Sequence, residues 1–292
     1  PSIDSGISMP QRAVAIAAEG VELAVASDHY VVADLAPTVK TLREQGVLSV
    51  PLSTMAGTEV STLGNRFGHF NLFPMQVGQN VTYRDTTAKR LFAEARRVCP
   101  EGVLQVNHPR FEPAIGYFNY FGVDDVTGQP LRAGYCSDFD TLEVFNGDDG
   151  RDLQRVRRVL RDWMHLLGRG HRYAATGSSD SHKLAFLDPG LPRTMIWHGA
   201  GRNDDRDVDA PHAEVVRALK AGRAIVTNGP FIEATIAGRG PGETARGVGR
   251  KTKLHVRVRA APWVSVAFVE ILAGGRARQV HWARVPRSTK PA

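Results

Sequence analysis

Five of the ten histidines stand at strand ends or in turn-rich loops: His29, His69, His108, His182 and His198. Two carboxylates share that setting, Glu59 in Gly57-Thr58-Glu59-Val60 and Asp180 in Ser178-Ser179-Asp180-Ser181-His182. Neutral imidazole with carboxylate is the donor set of Zn²⁺, Mn²⁺ and Fe²⁺ centres. Asp180 and His182, two residues apart, face the same way in extended backbone and can reach one centre. A carboxylate such as Glu59 can bridge two ions. Two-ion centres hydrolyse esters and phosphoesters by activating a water and stabilising the charge that develops. Asp28 is read as orienting the ring of His29 rather than as a ligand. A lone histidine at a strand end is more often a hydrogen-bonded structural residue, so the weight falls on the serial order of the set. His165, His171, His212, His255 and His281 lack the strand-end setting and are read as structural or exposed.

Alternating elements must hold these groups. Ser8, with Pro10 just after it, predicts a helix that stops at Gly20. The apolar run from Val21 to Ser27 predicts a buried strand delivering Asp28 and His29. The unit then repeats. Helices are predicted over 37–45, 86–98, 152–167 and 213–220, and strands over 47–52, 103–106, 142–145 and 173–176. Helix 152–167 would bury an apolar stripe of Leu153, Val156, Leu160, Trp163, Met164 and Leu167. Such alternation predicts a parallel-type α/β architecture with polar residues past the strand C-terminal ends, the edge where barrel enzymes gather catalytic groups. Residues 64–83 and 110–140 read as long loops. Beyond Gly229, four short strands with no helix between them predict a small antiparallel β module. The chain then divides into 1–228 and 229–292.

Composition narrows the class. With 292 residues, 42% hydrophobic and 23% charged, the chain can build one large core and a small satellite; it is not collagen-like, coiled-coil or disordered. No apolar run approaches the roughly 18–20 residues that span a bilayer. Two cysteines, Cys99 and Cys136, exclude a disulfide framework and a Cys-rich zinc site. The net charge of +7 is unevenly held, −7 over residues 1–150 and +14 over 151–292. Acidic surroundings therefore accompany His29, Glu59, His69 and His108, which suits a cation site.

The ordered set Ser27-Asp28-His29, Gly57-Thr58-Glu59-Val60, Gly68-His69-Phe70-Asn71, Asn107-His108-Pro109, Glu143-Val144-Phe145-Asn146-Gly147 and Ser179-Asp180-Ser181-His182 resembles the PHP (polymerase and histidinol phosphatase) superfamily. More narrowly it is similar to the carbaryl-hydrolase-like CehA/McbA metallohydrolases, and Thr227-Asn228-Gly229-Pro230-Phe231 adds to that likeness. The resemblance implies a distorted (β/α)7 barrel with two or three divalent metal ions, Zn, Mn or Fe, at the strand ends. His29, Glu59, His69, His108, Asp180 and His182 would be their ligands, with Glu59 bridging. Asp180 would also manage the proton of the attacking water, and Arg110 and Lys183, each beside a ligand, would hold a substrate oxygen. Members of the superfamily open on a His-x-His strand that has no counterpart here. The expectation is therefore a barrel truncated at its N-terminus, Pro1 following directly on that motif, with no leader peptide to read.

The function so implied is metal-dependent hydrolysis of an ester, carbamate, amide or phosphoester in a small-molecule substrate. Two other readings stay open: a degenerate PHP scaffold that only binds, and a nucleic-acid-processing phosphoesterase. Arg155, Arg157, Arg158, Arg161 and Arg169 crowd one helix, but the spacing spreads them over a solvated face. Without interleaved aromatics, nucleic acid is the less favoured partner.

Overall fold

In a computed structural model, which describes residues 2–111, 115–147, 152–184, 188–197, 212–249, 251–273 and 279–284, Ser8 caps helix α1 (Met9–Ala18) in a reciprocal box with Gln11. Ala13 and Ala17 bury the helix in a small cluster with Val39 and Leu42 of α2 (Ala36–Glu44). Strand β1 (Leu23–Val25) follows and pairs in parallel with β2 (Ser53–Met55). Strand β3 (Thr58–Ser61) starts immediately after, beyond a break at Gly57. A Cβ on Gly57 would stand 2.7 Å from the Leu72 carbonyl oxygen and 2.9 Å from that of Ala26, so only glycine lets the two backbones close in.

A five-stranded sheet runs β3, β4 (His69–Phe73), β5 (Val103–Val106), β6 (Thr141–Asn146), β7 (Ala174–Ser178). The pairs β3–β4 and β4–β5 are antiparallel, and β5–β6 and β6–β7 parallel. A bridge between His29 and Glu59 ties the end of β1 to this sheet. Helices α3 (Ala88–Val98), α4 (Tyr117–Tyr120) and α5 (Leu153–Gly168) contribute to one aromatic core with Phe67, Phe70, Phe92, Tyr117 and Phe118. Phe70 and Phe92 meet edge to face at 5.1 Å. Burying each such ring contributes about 1.5–3 kcal/mol. This packing fixes β4 and β5, and with them the histidines at their ends.

Strand β8 (Arg193–Ile196), α6 (His212–Lys220) and β9 (Ala224–Thr227) complete the α/β portion, β8 pairing antiparallel with β9. The Thr194 hydroxyl donates to the Gly177 carbonyl and accepts its N–H, both at 2.9 Å, which joins this pair to β7. Two antiparallel hairpins follow, β10 (Phe231–Ile236) with β11 (Leu254–Arg259), and β12 (Phe268–Leu272) with β13 (Gln279–Arg284). No helix among the described residues is long and apolar enough to cross a membrane.

The protein is thus mixed α/β, with six helices and several sheets among the described residues, and those sheets do not close into a barrel. Three sequence expectations change. The strand expected over 47–52 forms at Ser53–Met55 instead, displaced beyond Pro51, which has no N–H to give a ladder. Residues 64–83 contain β4 rather than one long loop. On α5 the fully buried residues are Val159, Asp162, Met164 and Leu166; of the expected stripe Leu160 and Trp163 pack partly buried on the core, while Leu153 is exposed.

Candidate metal centre

Alternation along the strands builds a polar chamber inside the sheet. Phe70 and Leu72 of β4, and Leu104 and Val106 of β5, point into the aromatic core. The residues between them, Asn71 and Gln105, face a cavity of about 810 Å³ together with Glu59, Glu143 and Thr176. Asn107 donates to Asn71 at 2.9 Å, and Gln105 donates to Asn107 at 3.0 Å. The strand ends at the mouth of this cavity carry the candidate ligands.

Among the described residues two groups of three could each hold a metal ion, with ligand atoms within 4.8 Å of one another: Glu59, His69 and His108, and Asp4, His29 and His182. Glu59 reaches both. Its Oε1 is 3.0 Å from His69 Nδ1 and 3.6 Å from His108 Nε2, and its Oε2 is 4.0 Å from His29 Nε2. In the second group Asp4 Oδ2 lies 2.9 Å from the Nε2 atoms of both His29 and His182. The other nitrogen of His29 meets the Ser61 hydroxyl at 2.7 Å, the outer contact that fixes a ligand ring. Asp180 stands outside both groups, 3.8 Å from His182 Nε2, and accepts from Asn146 Nδ2 at 3.1 Å. Carboxylate oxygens and imidazole nitrogens in threes suit Zn²⁺, Mn²⁺ or Fe²⁺.

No family model and no curated protein matches the chain. The chemistry of the site rests on its own geometry.

Backbone strain gathers here. Among the described residues five non-glycine residues adopt positive φ, and three adjoin or belong to this cluster: Tyr30 at 66°, His108 at 24° and Asp180 at 47°. Strained φ of this kind persists where surrounding structure over-determines it, which is common at functional sites. Just beyond β6, a Cβ on Gly147 would collide with the Ser179 carbonyl, so the turn after Asn146 lies flat against the Asp180 loop.

The sequence places His29, Glu59, His69, His108 and His182 here, and the fold brings them together. It does not bring in the two expected substrate cations. Arg110 is buried and forms a two-point ion pair with Asp162 at 2.7 Å, so its charge is neutralised inside the protein. Lys183 is exposed and does not line the cavity; its carbonyl accepts from Arg12 and Ser181. The Asp28 carbonyl accepts the Glu59 N–H at 3.0 Å and the Thr58 hydroxyl at 3.1 Å, and the Ser61 hydroxyl meets the His29 ring. His198 lies outside the described residues.

Two carboxylates of the site are absent from the expected ligand and substrate residues. Asp4 sits in a turn with no periodicity, and its partner His182 is 178 residues away. Glu143 opens one of the motifs that carry the resemblance but has no role assigned by it; its Oε2 accepts the His108 N–H and Asn146 Nδ2, the latter at 3.2 Å. Burial and the charge of Asp180 push its carboxyl up to about 8, against the pull of His108, so it holds a proton at neutral pH.

Burial alone would lower the pKa of His108; its contact with Glu59, helped by Glu143 and Asp180, overrides that and lifts it to about 9. Burial would raise Glu59, yet His108 and His69 hold it well below the carboxylate range. His108 raised above 6.5 therefore stabilises the metal-free fold below that pH, and the contribution is lost as pH rises through about 9. Glu59, being depressed, contributes above its unfolded value and loses that on acidification. A ligating imidazole must be neutral, so metal displaces this proton. Zn²⁺ affinity is expected to climb about tenfold per pH unit from near 6.5 towards 9 and then flatten, with proton release in calorimetry. An affinity flat across that range would contradict the Glu59–His108 pairing.

Proposed function

We propose that the protein is a metal-dependent hydrolase of the PHP type, acting on an ester, carbamate, amide or phosphoester bond of a small molecule. The observation that carries this reading is Glu59, a buried carboxylate whose two oxygens face two separate three-ligand groups. Divalent ions held by Glu59, His69, His108, Asp4, His29 and His182 would supply Lewis acidity for a scissile group and a water. The chain's own residues do the rest. Glu59 and Asp4 set the spacing of the two groups, and Ser61 holds the ring of His29. Asp180, anchored by Asn146 at the cavity wall, takes the proton of the attacking water. Glu143 braces the turn after β5 by accepting the His108 N–H, with Asn146 as its second donor.

The distorted (β/α)7 barrel belongs to the same proposal. From β1 through β2 and β3 to β7, neighbouring strands follow one another, and Thr194 links β8 to β7. Among the described residues β1 pairs with no strand but β2, and its other edge lines the cavity with Gly177, Thr194 and Ile196. One further strand seated along that edge would complete the wall, and it is the place a His-x-His strand would take.

The test is hydrolysis of p-nitrophenyl acetate, an N-methyl aryl carbamate and p-nitrophenyl phosphate, before and after chelation. Turnover of at least one, lost to the chelator and restored by a single divalent ion, is the expected result. Bound metal argues against the degenerate, binding-only scaffold. A chain that takes up no divalent ion and turns over none of the three overturns the hydrolase reading and favours that scaffold.

A further inference from the structure

The Asp4–His29–His182 group draws its ligands from three distant stretches of chain, and something must hold the outer two together. Asp4 precedes α1, while His182 follows β7. Arg12, at the start of α1, spans them. Its Nη1 donates to Ser181 Oγ at 2.6 Å and to the Lys183 carbonyl at 3.4 Å, and its Nη2 donates to Ser5 Oγ at 3.3 Å. Ser5 Oγ in turn donates to the carbonyl of His182 at 3.0 Å. The flanking residues of both ligands, Ser5 beside Asp4 and Ser181 beside His182, are thus gripped by one guanidinium. Helix α1 cannot easily turn away, because the neighbouring Ala13 is completely buried and Ser8 with Gln11 locks the first turn. The Glu59–His69–His108 group is held instead by strands β3, β4 and β5, away from this helix.

We propose that Arg12 is a positioning residue that preassembles the Asp4–His29–His182 group and so sets the affinity of that ion alone. This rests on the metal-centre reading above. Outer contacts that orient ligands typically change metal affinity by about 10–100-fold when removed, and that range is expected for one of two sites.

The test is Co²⁺ titration of the full chain, followed by visible absorption and by elemental analysis after a chelator challenge. Wild type is expected to bind two ions. Arg12→Ala should keep the ion at Glu59–His69–His108 and weaken the other about 10–100-fold, with its absorption band reduced. Arg12→Lys, which keeps donors for the two serines, should restore most of the loss. Should Arg12→Ala fail to fold, Ser181→Ala removes the acceptor without touching α1 and is expected to give the same selective loss. Two sites at wild-type affinity in Arg12→Ala, or equal weakening of both, overturns the positioning role. A wild-type chain that binds no Co²⁺ overturns the metal-centre reading itself, and the positioning role with it.

Discussion

Glu59→Gln is expected to release bound metal from both groups and to reduce hydrolysis by more than two orders of magnitude. The substitution is nearly isosteric, so the fold should hold while one oxygen is exchanged for an amide nitrogen that cannot ligate. Removing even an outer contact of a metal ligand typically costs about 10–100-fold in affinity, and Glu59 is itself one of the proposed ligands. It also faces both groups, through Oε1 to His69 and His108 and through Oε2 to His29. His108 loses the partner that keeps it protonated, so its titration in the metal-free chain should fall from about 9. Three readouts follow: metal content, turnover, and the His108 titration followed by NMR. Retention of two ions per chain with wild-type turnover would sink the bridging role. A lowered His108 titration with metal retained would keep the pairing and dismiss the bridge.

What the sequence reveals here depends on how local each cause is. His29, His108 and His182 are legible because short apolar strands end beside them, and the strand end is where a polar side chain meets the open edge of the sheet. Asp4 is illegible for the opposite reason: only the tertiary contact to His182 and His29 gives it meaning. Strand β4 reads His-Phe-Asn-Leu-Phe, an alternation of core and chamber residues that Gly68 and nearby polar residues disguise as loop. Glu143 is hidden because its raised pKa comes from full burial and from Asp180 across the chamber, neither of which the chain order records. The pairing of strand edges is illegible too, since alternation of strands and helices predicts layers of both types but not which edges meet.

Arg110 shows how the same limits produce a wrong assignment, and it leads to the largest expected effect on stability. A basic residue next to His108 in a turn-rich stretch suggests an exposed substrate contact. The fold instead places Arg110 and Asp162 together with side chains 1% exposed, joined by two hydrogen bonds of 2.7 Å. Arg110 Nη2 also donates to the Val123 carbonyl at 2.7 Å, and its guanidinium lies 5.7 Å from the Phe118 ring centre. Removing Asp162 leaves the buried guanidinium only the half-exposed Asp125, whose Oδ1 is 3.2 Å from Nη2, and losing one member of a buried pair costs about 3–5 kcal/mol. Asp162→Ala should therefore lower the unfolding free energy in denaturant titration by that amount and reduce the yield of folded chain. Replacing both members, Arg110→Met with Asp162→Leu, removes both charges and should recover most of the stability, because the desolvation cost disappears along with the attraction. Metal binding should not recover in step. Pro109 and Arg110 directly follow His108, whose φ of 24° needs the surrounding structure to hold it. The double variant is expected to fold yet bind the Glu59–His69–His108 ion more weakly than wild type. Full recovery of both stability and affinity would reduce the pair to packing; loss of both would show that Val123 depends on the guanidinium as well.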